Sequence, residues 1–111
     1  MTNQRIDLDA VSELKEILED EFSTLISTYI KDTKQKLDLL SEAVKERNAP
    51  EVREVAHSIK GASINIGIVQ LSELCQQMET VAKEGAIDEF DQLLPPIQDE
   101  VHWVLQALIE I

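Results

Sequence analysis

Cations are scarce in this 111-residue chain. Ten Lys and Arg stand against 22 Asp and Glu, for a net charge of −12. Binding to a phosphate backbone or an anionic bilayer needs clustered Lys and Arg, so neither nucleic acid nor membrane is an expected partner. Cysteine is nearly absent: Cys75 alone cannot form an internal disulfide. It stands among Leu71, Leu74 and Met78 at helical spacing and reads as a small buried thiol. With only 3 Gly and 3 Pro, and almost no β-branched alternation, the chain offers little material for turns and strands. No run approaches the ~18 apolar residues of a membrane span. The opening M-T-N-Q-R-I-D-L-D lacks the apolar core of a signal peptide, so a cytoplasmic location is expected. Two histidines and one cysteine, all far apart, make no zinc spacing, and neither a Gly-rich phosphate loop nor a nucleophile elbow occurs.

What is present is helix-forming material. Leu, Ile, Glu, Lys, Ala and Gln dominate, and 43 % of the residues are apolar, enough for a core. A first amphipathic segment opens at Asp7 or Asp9 and carries Leu8, Val11, Leu14, Ile17 and Leu18. The acidic run Glu19-Asp20-Glu21 ends or bends it. A long second helix is predicted from about Asp20 to Arg47, with Phe22, Ile26, Tyr29, Thr33, Leu40 and Val44 along one face and Asn48 supplying the left-handed closing turn. Pro50 opens a third helix that Gly67 stops, and a fourth runs from about Val69 to Glu84 with Gly85 as its terminator. Asp88 starts a last segment that Pro95-Pro96 should break, giving a short helix over 88–94 and a longer one from Pro96. The expected fold is all-α: a single domain over residues 1–111, an antiparallel four-helix bundle with an additional short N-terminal helix capping one end. Met1 and the C-terminal helix read as the ends of a complete small protein, expected to be monomeric.

The third helix separates into two faces when residues are placed 100° apart from His57. Val52, Val55, Ile59, Ala62, Ser63 and Ile66 form a core stripe, while Arg53, Lys60, Gly61 and Ile64 fall within about 60° of His57 on the other side. His57 therefore points to water. Gly61 stands in a helix interior, where glycine costs about 1 kcal/mol relative to alanine. A missing side chain beside a histidine permits another macromolecule to come close. Lys60 supplies a cation for any anion carried on the ring. Neutral imidazole is a nucleophile, which suits it to covalent relay. Ile64 is an apolar residue on the same face, of the kind a docking partner covers. His102, beside Trp103, lacks such neighbours.

These residues resemble the histidine-containing phosphotransfer (HPt) domain. Its signature is a helix-borne His followed by a hydrophobe, Lys, Gly and small residues, with a further Gly ten positions after the His. Here these are His57, Ile59, Lys60, Gly61, Ala62, Ser63 and Gly67. The stretch L-S-E-L-C-Q-Q-M-E, closing at Glu79, resembles the helix that follows in the family, and the likeness runs along essentially the whole chain. Ile59 stands where Leu is commoner, and Pro95-Pro96 is not a general family feature. The resemblance implies a phosphocarrier of a two-component phosphorelay. His57 would accept a phosphoryl group from a receiver-domain aspartate of a hybrid sensor kinase and pass it to a response regulator. No cofactor is implied on this chain, since the receiver supplies Mg²⁺. Lys60 would stabilise the phosphoryl group, Gly61 would admit the receiver and Glu79 would orient the imidazole. Arg53, Ile64, Leu8, Val11 and Leu14 would form the docking surface. Two other readings of the same face are a helical adaptor without phosphate chemistry and an HPt domain of a larger histidine kinase, phosphorylated directly from ATP.

Overall fold

A computed structural model describes residues 5–111. Five α-helices follow one another: α1 (Leu8–Leu18), α2 (Glu21–Lys45), α3 (Ala49–Asn65), α4 (Val69–Lys83) and α5 (Phe90–Ile109), with a 3₁₀ turn at Ile87–Glu89 before α5. The helices α2 to α5 pack in a closed ring, each against its sequence neighbours and α5 back against α2, with α1 lying on α2. Short connections make successive helices antiparallel, so the expected four-helix bundle with an added N-terminal helix is what forms. Its core holds Leu40, Val52, Ala56, Ile59, Leu71, Cys75, Met78, Phe90, Ile97, Val101 and Val104, all essentially sealed from water. Among the described residues no helix is long and apolar enough to cross a membrane.

Helix ends follow from local chemistry. The Asp7 side chain accepts from the Ala10 amide to cap α1, and the Asn48 side chain accepts from the Glu51 amide to cap α3, with Pro50 in the first turn. Three helices close in the same way. At the end of α3 the Gly67 amide donates to the Ile64 carbonyl and the Ile68 amide to that of Ser63. At the end of α4, Gly85 donates to Ala82 and Ala86 to Val81. At the end of α2, Arg47 donates to Val44 and Asn48 to Ala43. This double closure needs one left-handed residue, and Gly67 (φ 80°) and Gly85 (φ 73°) supply it cheaply. For α2 the left-handed residue is Arg47 (φ 56°), not Asn48 as expected. Asn48 is needed one step later as the cap of α3, and the Arg47 guanidinium is held by Asp91 through two hydrogen bonds of 3.0 and 2.7 Å.

The expected break at Pro95-Pro96 does not occur: α5 runs through both prolines. A helical proline loses the bond to the carbonyl four residues back and crowds that carbonyl. Here those carbonyls belong to Asp91 and Gln92, in the first turn of α5, so the two lost bonds fall at the N-terminal end of the helix. Both rings are exposed, so the cost stays at a wet helix end. The N-terminal segment is tied down by backbone bonds from Asp7 to Gly67 and from Val69 to Arg5, and the Arg5 guanidinium lies 4.3 Å over the Trp103 ring. The start of α1 is thereby fixed beside the loop that joins α3 to α4.

Candidate functional site

Helix α3 buries Val52, Val55, Ala56, Ile59 and Ser63 against the bundle, and that stripe turns the opposite side outward. Ser63, a member of the stripe, is satisfied at depth by Tyr29 of α2, with 2.7 Å between the hydroxyl oxygens. The hydroxyl pair fixes the rotation of α3 about its axis. As a result the His57 side chain is 66 % exposed, Gly61 faces open space, with nothing within 4 Å of where a Cβ would stand, and Ile64 is 60 % exposed.

Helix α4 lies antiparallel against α3 and brings Glu79 between His57 and Lys60. One carboxylate oxygen, Oε2, is 3.0 Å from His57 Nδ1, and the other, Oε1, is 2.7 Å from Lys60 Nζ. Lys60 also donates to Gln76 Oε1 at 2.9 Å. The Gln76 amide is itself oriented: its Nε2 donates to Thr80 Oγ1 at 3.1 Å, while that hydroxyl spends its proton on the Gln76 backbone carbonyl at 3.0 Å. Because the Thr80 oxygen can then only accept, Gln76 must turn its NH₂ toward Thr80 and its oxygen toward Lys60.

Donor and acceptor polarity is set at the histidine as well. Burial pushes the Glu79 carboxyl up, but the hydrogen bonds and charges of Lys60 and then His57 reverse this and hold it below the usual carboxylate range. An ionised Glu79 can only accept, so His57 Nδ1 must carry the proton of the pair. In the neutral ring the lone pair then resides on Nε2, the outward nitrogen. The arrangement offers a nucleophile with its tautomer set, a half-buried ion pair behind it and an open surface before it.

Arg53 is exposed and borders a shallow depression with Pro50, Glu54, His57 and Glu79. Leu8 is 56 % exposed, at the end of α1 that adjoins Gly67, about 15 Å along α3 from His57 at 1.5 Å per residue. Val11, expected on the docking surface, is instead only 5 % exposed and belongs to the core, because it is the residue by which α1 anchors itself. Leu14 is half-buried against the core, and Ile17 is exposed. His102 is exposed on α5 beside Lys34, Leu37 and Asp38, apart from the His57 group. Cys75 is buried, and desolvation pushes its thiol up to about 12. Among the described residues no three His, Cys, Asp or Glu side chains converge as metal ligands. Gln76 and Thr80 were not foreseen from sequence. Their one visible signal is the spacing of Gln76, Glu79 and Thr80, which places all three on one face of α4.

A solvent-facing imidazole backed by an acid and a base on a four-helix bundle defines a histidine phosphotransfer module, and the family comparison agrees: the Hpt domain model matches residues 24–110. The chain belongs to that family. It is similar to phosphorelay protein LuxU of Vibrio vulnificus, with 25 % identity over 96 residues that cover 86 % of this chain and 83 % of LuxU. Among solved structures it resembles histidine-containing phosphotransfer protein B (HptB) of Pseudomonas aeruginosa, at 28 % identity and a TM-score of 0.94, over 98 % of this chain and 95 % of that one. The phosphotransfer protein MtHPt2 of Medicago truncatula shares the fold at 18 % identity and a TM-score of 0.81, covering 96 % of this chain and 76 % of its own.

Proposed function

We propose that this protein is a phosphocarrier of a two-component phosphorelay and that His57 is the residue loaded. The Nε2 lone pair attacks the phosphorus of a receiver's aspartyl phosphate, an N–P bond forms, the P–O bond breaks and the aspartate leaves as carboxylate. The reverse steps on a second receiver deliver the group to a response regulator. The observation that carries this reading is the contact at the inner ring nitrogen: Nδ1 lies 3.0 Å from Glu79 Oε2, which leaves the outward nitrogen as the nucleophile. Lys60 lies one helical turn from the ring and balances the charge that arrives. Gly61 leaves room for the receiver, whose acidic pocket contributes the Mg²⁺. Arg53 and Ile64 flank the point of contact, with Leu8 at its far margin. All the site groups belong to one chain, so a monomer suffices.

The test is incubation with a radiolabelled phosphorylated receiver and Mg²⁺. Label stable to alkali and labile to acid is expected on the native protein and none on His57→Gln. Label retained by that variant sinks the assignment. Label acquired from a kinase domain and ATP with no receiver present would favour direct phosphorylation instead.

A further inference from the structure

Glu79 divides its two oxygens between a lysine that keeps it ionised and the ring nitrogen opposite the point of attack. This has a consequence for the loaded ring. When Nε2 takes the phosphoryl group with Nδ1 still protonated, the imidazole becomes a cation. If that proton were lost to water, the ring would be neutral, and the next transfer would have to expel an imidazolide anion. If it is kept, the leaving group is neutral imidazole, already in the tautomer of the resting state.

We propose that Glu79 holds the Nδ1 proton of His57 through both half-reactions, so that the phosphoryl group enters and leaves a ring that never deprotonates. The inference rests on the phosphocarrier reading and gives Glu79 a positioning role beyond orienting the ring. In each direction one N–P bond and one P–O bond exchange, and no proton moves. Transfer is therefore reversible without a general base to restore the nucleophile.

The charged surroundings fit this role. On α3 the ring is bordered by Arg53 and Glu54, of opposite sign and sharing its depression, and by Lys60 one turn away. Helix α4 contributes Glu79, and Lys83 and Glu84 at its end, again of opposite sign, line the adjoining depression with Arg53 and Glu79; α1, α2 and α5 contribute none of the described residues that line either depression. Glu79 is the anion in hydrogen-bond contact with the ring. Its side chain is largely covered whereas the ring is mostly exposed, so the carboxylate is fixed while Nε2 stays free to react. Lys60, shared with the neutral Gln76 oxygen, keeps Glu79 ionised without a second carboxylate competing for it.

The protein is loaded chemically with phosphoramidate, which needs no partner, and the ring nitrogens are followed by ¹⁵N NMR against pH. The same is done for Glu79→Gln, whose side-chain oxygen still accepts the Nδ1–H bond but carries no charge. The expected result is that the loaded native ring keeps its Nδ1 proton to a pH about 1 unit higher than the variant, the low end of a close carboxylate's effect because the ring is exposed. Transfer to a receiver should stay flat over that interval for the native protein and fall about tenfold for the variant. Equal midpoints refute the proton-holding role, as does a transfer defect seen in Glu79→Ala but not in Glu79→Gln, which would leave orientation as the whole effect. A ring that cannot be loaded at His57 sinks the phosphocarrier reading as well; a loaded ring with equal midpoints sinks only the proton-holding.

Discussion

Gly61→Ala should make this protein more stable and less able to exchange phosphate. Gly61 lies within α3, its φ is not left-handed, and an added Cβ would meet nothing within 4 Å. The methyl group therefore fits without strain, and the backbone gains about 1 kcal/mol of helix propensity. For a domain of this size that is a rise of about 4 °C in Tm. The free protein gives no reason to avoid alanine here. A docked partner does, because a methyl forced into a close contact costs roughly 1–3 kcal/mol. That corresponds to a fall of about 5- to 150-fold in kcat/KM for transfer. Thermal unfolding followed by circular dichroism reads the first effect, and transfer of label from chemically loaded protein to a receiver reads the second. Opposite signs in the two assays exclude misfolding as the cause of slow transfer. Transfer within twofold of native with a raised Tm would refute close approach as the reason for glycine. A lowered Tm would refute the open-space geometry itself.

Two further predictions concern stability. Glu100 is 3 % exposed, its Oε1 is 3.4 Å from Arg5 Nε and its Oε2 has no hydrogen-bond partner. Burial pushes its carboxyl up and Arg5 only partly offsets this. A raised carboxyl binds its proton more tightly in the folded state, so its contribution is fully present below the ordinary glutamate value of about 4.3 and is lost as pH rises through the folded one. The stability of Glu100→Gln relative to native should therefore improve from pH 4 to pH 7 in urea titrations; an equal difference at both pH values would refute it. At Glu19 the backbone sits at φ 50° and ψ −116°, a conformation that suits glycine. Glu19→Gly should raise the unfolding free energy by about 1 kcal/mol after the extra freedom of the unfolded chain is allowed for, and a loss of stability would contradict the strain argument.

Much of the site was legible in the sequence because it lies on one helix. His57, Lys60, Gly61 and Ile64 share a face by period alone, and the core stripe of α3 that turns them outward is visible in Val52, Val55, Ile59 and Ser63. Glu79 could be named only through family resemblance. Gln76 and Thr80 were out of reach, since periodicity gives each helix its faces but not the register of one helix against the next. Arg47 in the left-handed turn was hidden for a related reason: the residue preference pointed to Asn48, and what decided the matter was the need for a cap on α3 and an aspartate 44 residues away. The prolines of α5 misled because their effect depends on where the helix begins. A start at Phe90 places the affected carbonyls in the first turn, and nothing local in the sequence fixes that start. Val11 was misassigned because an amphipathic α1 has one apolar stripe, and the bundle claims the part of it that docking would need.

Every group in the chain from Thr80 through Gln76, Lys60 and Glu79 to His57 belongs to α3 or α4. The separations along the sequence are short, 16 residues between Lys60 and Gln76 and 22 between His57 and Glu79. Closing such contacts costs little loop entropy, and the turn that closes them is nucleated locally by Gly67. The reactive apparatus thus resides on one helical hairpin, whose back the rest of the bundle holds, with Tyr29 of α2 bonded to Ser63 to set the rotation of α3. Substitutions on the outward faces of α1, α2 and α5 are free to alter the protein's lifetime, solubility and choice of partner while the chemistry at the ring stays constant.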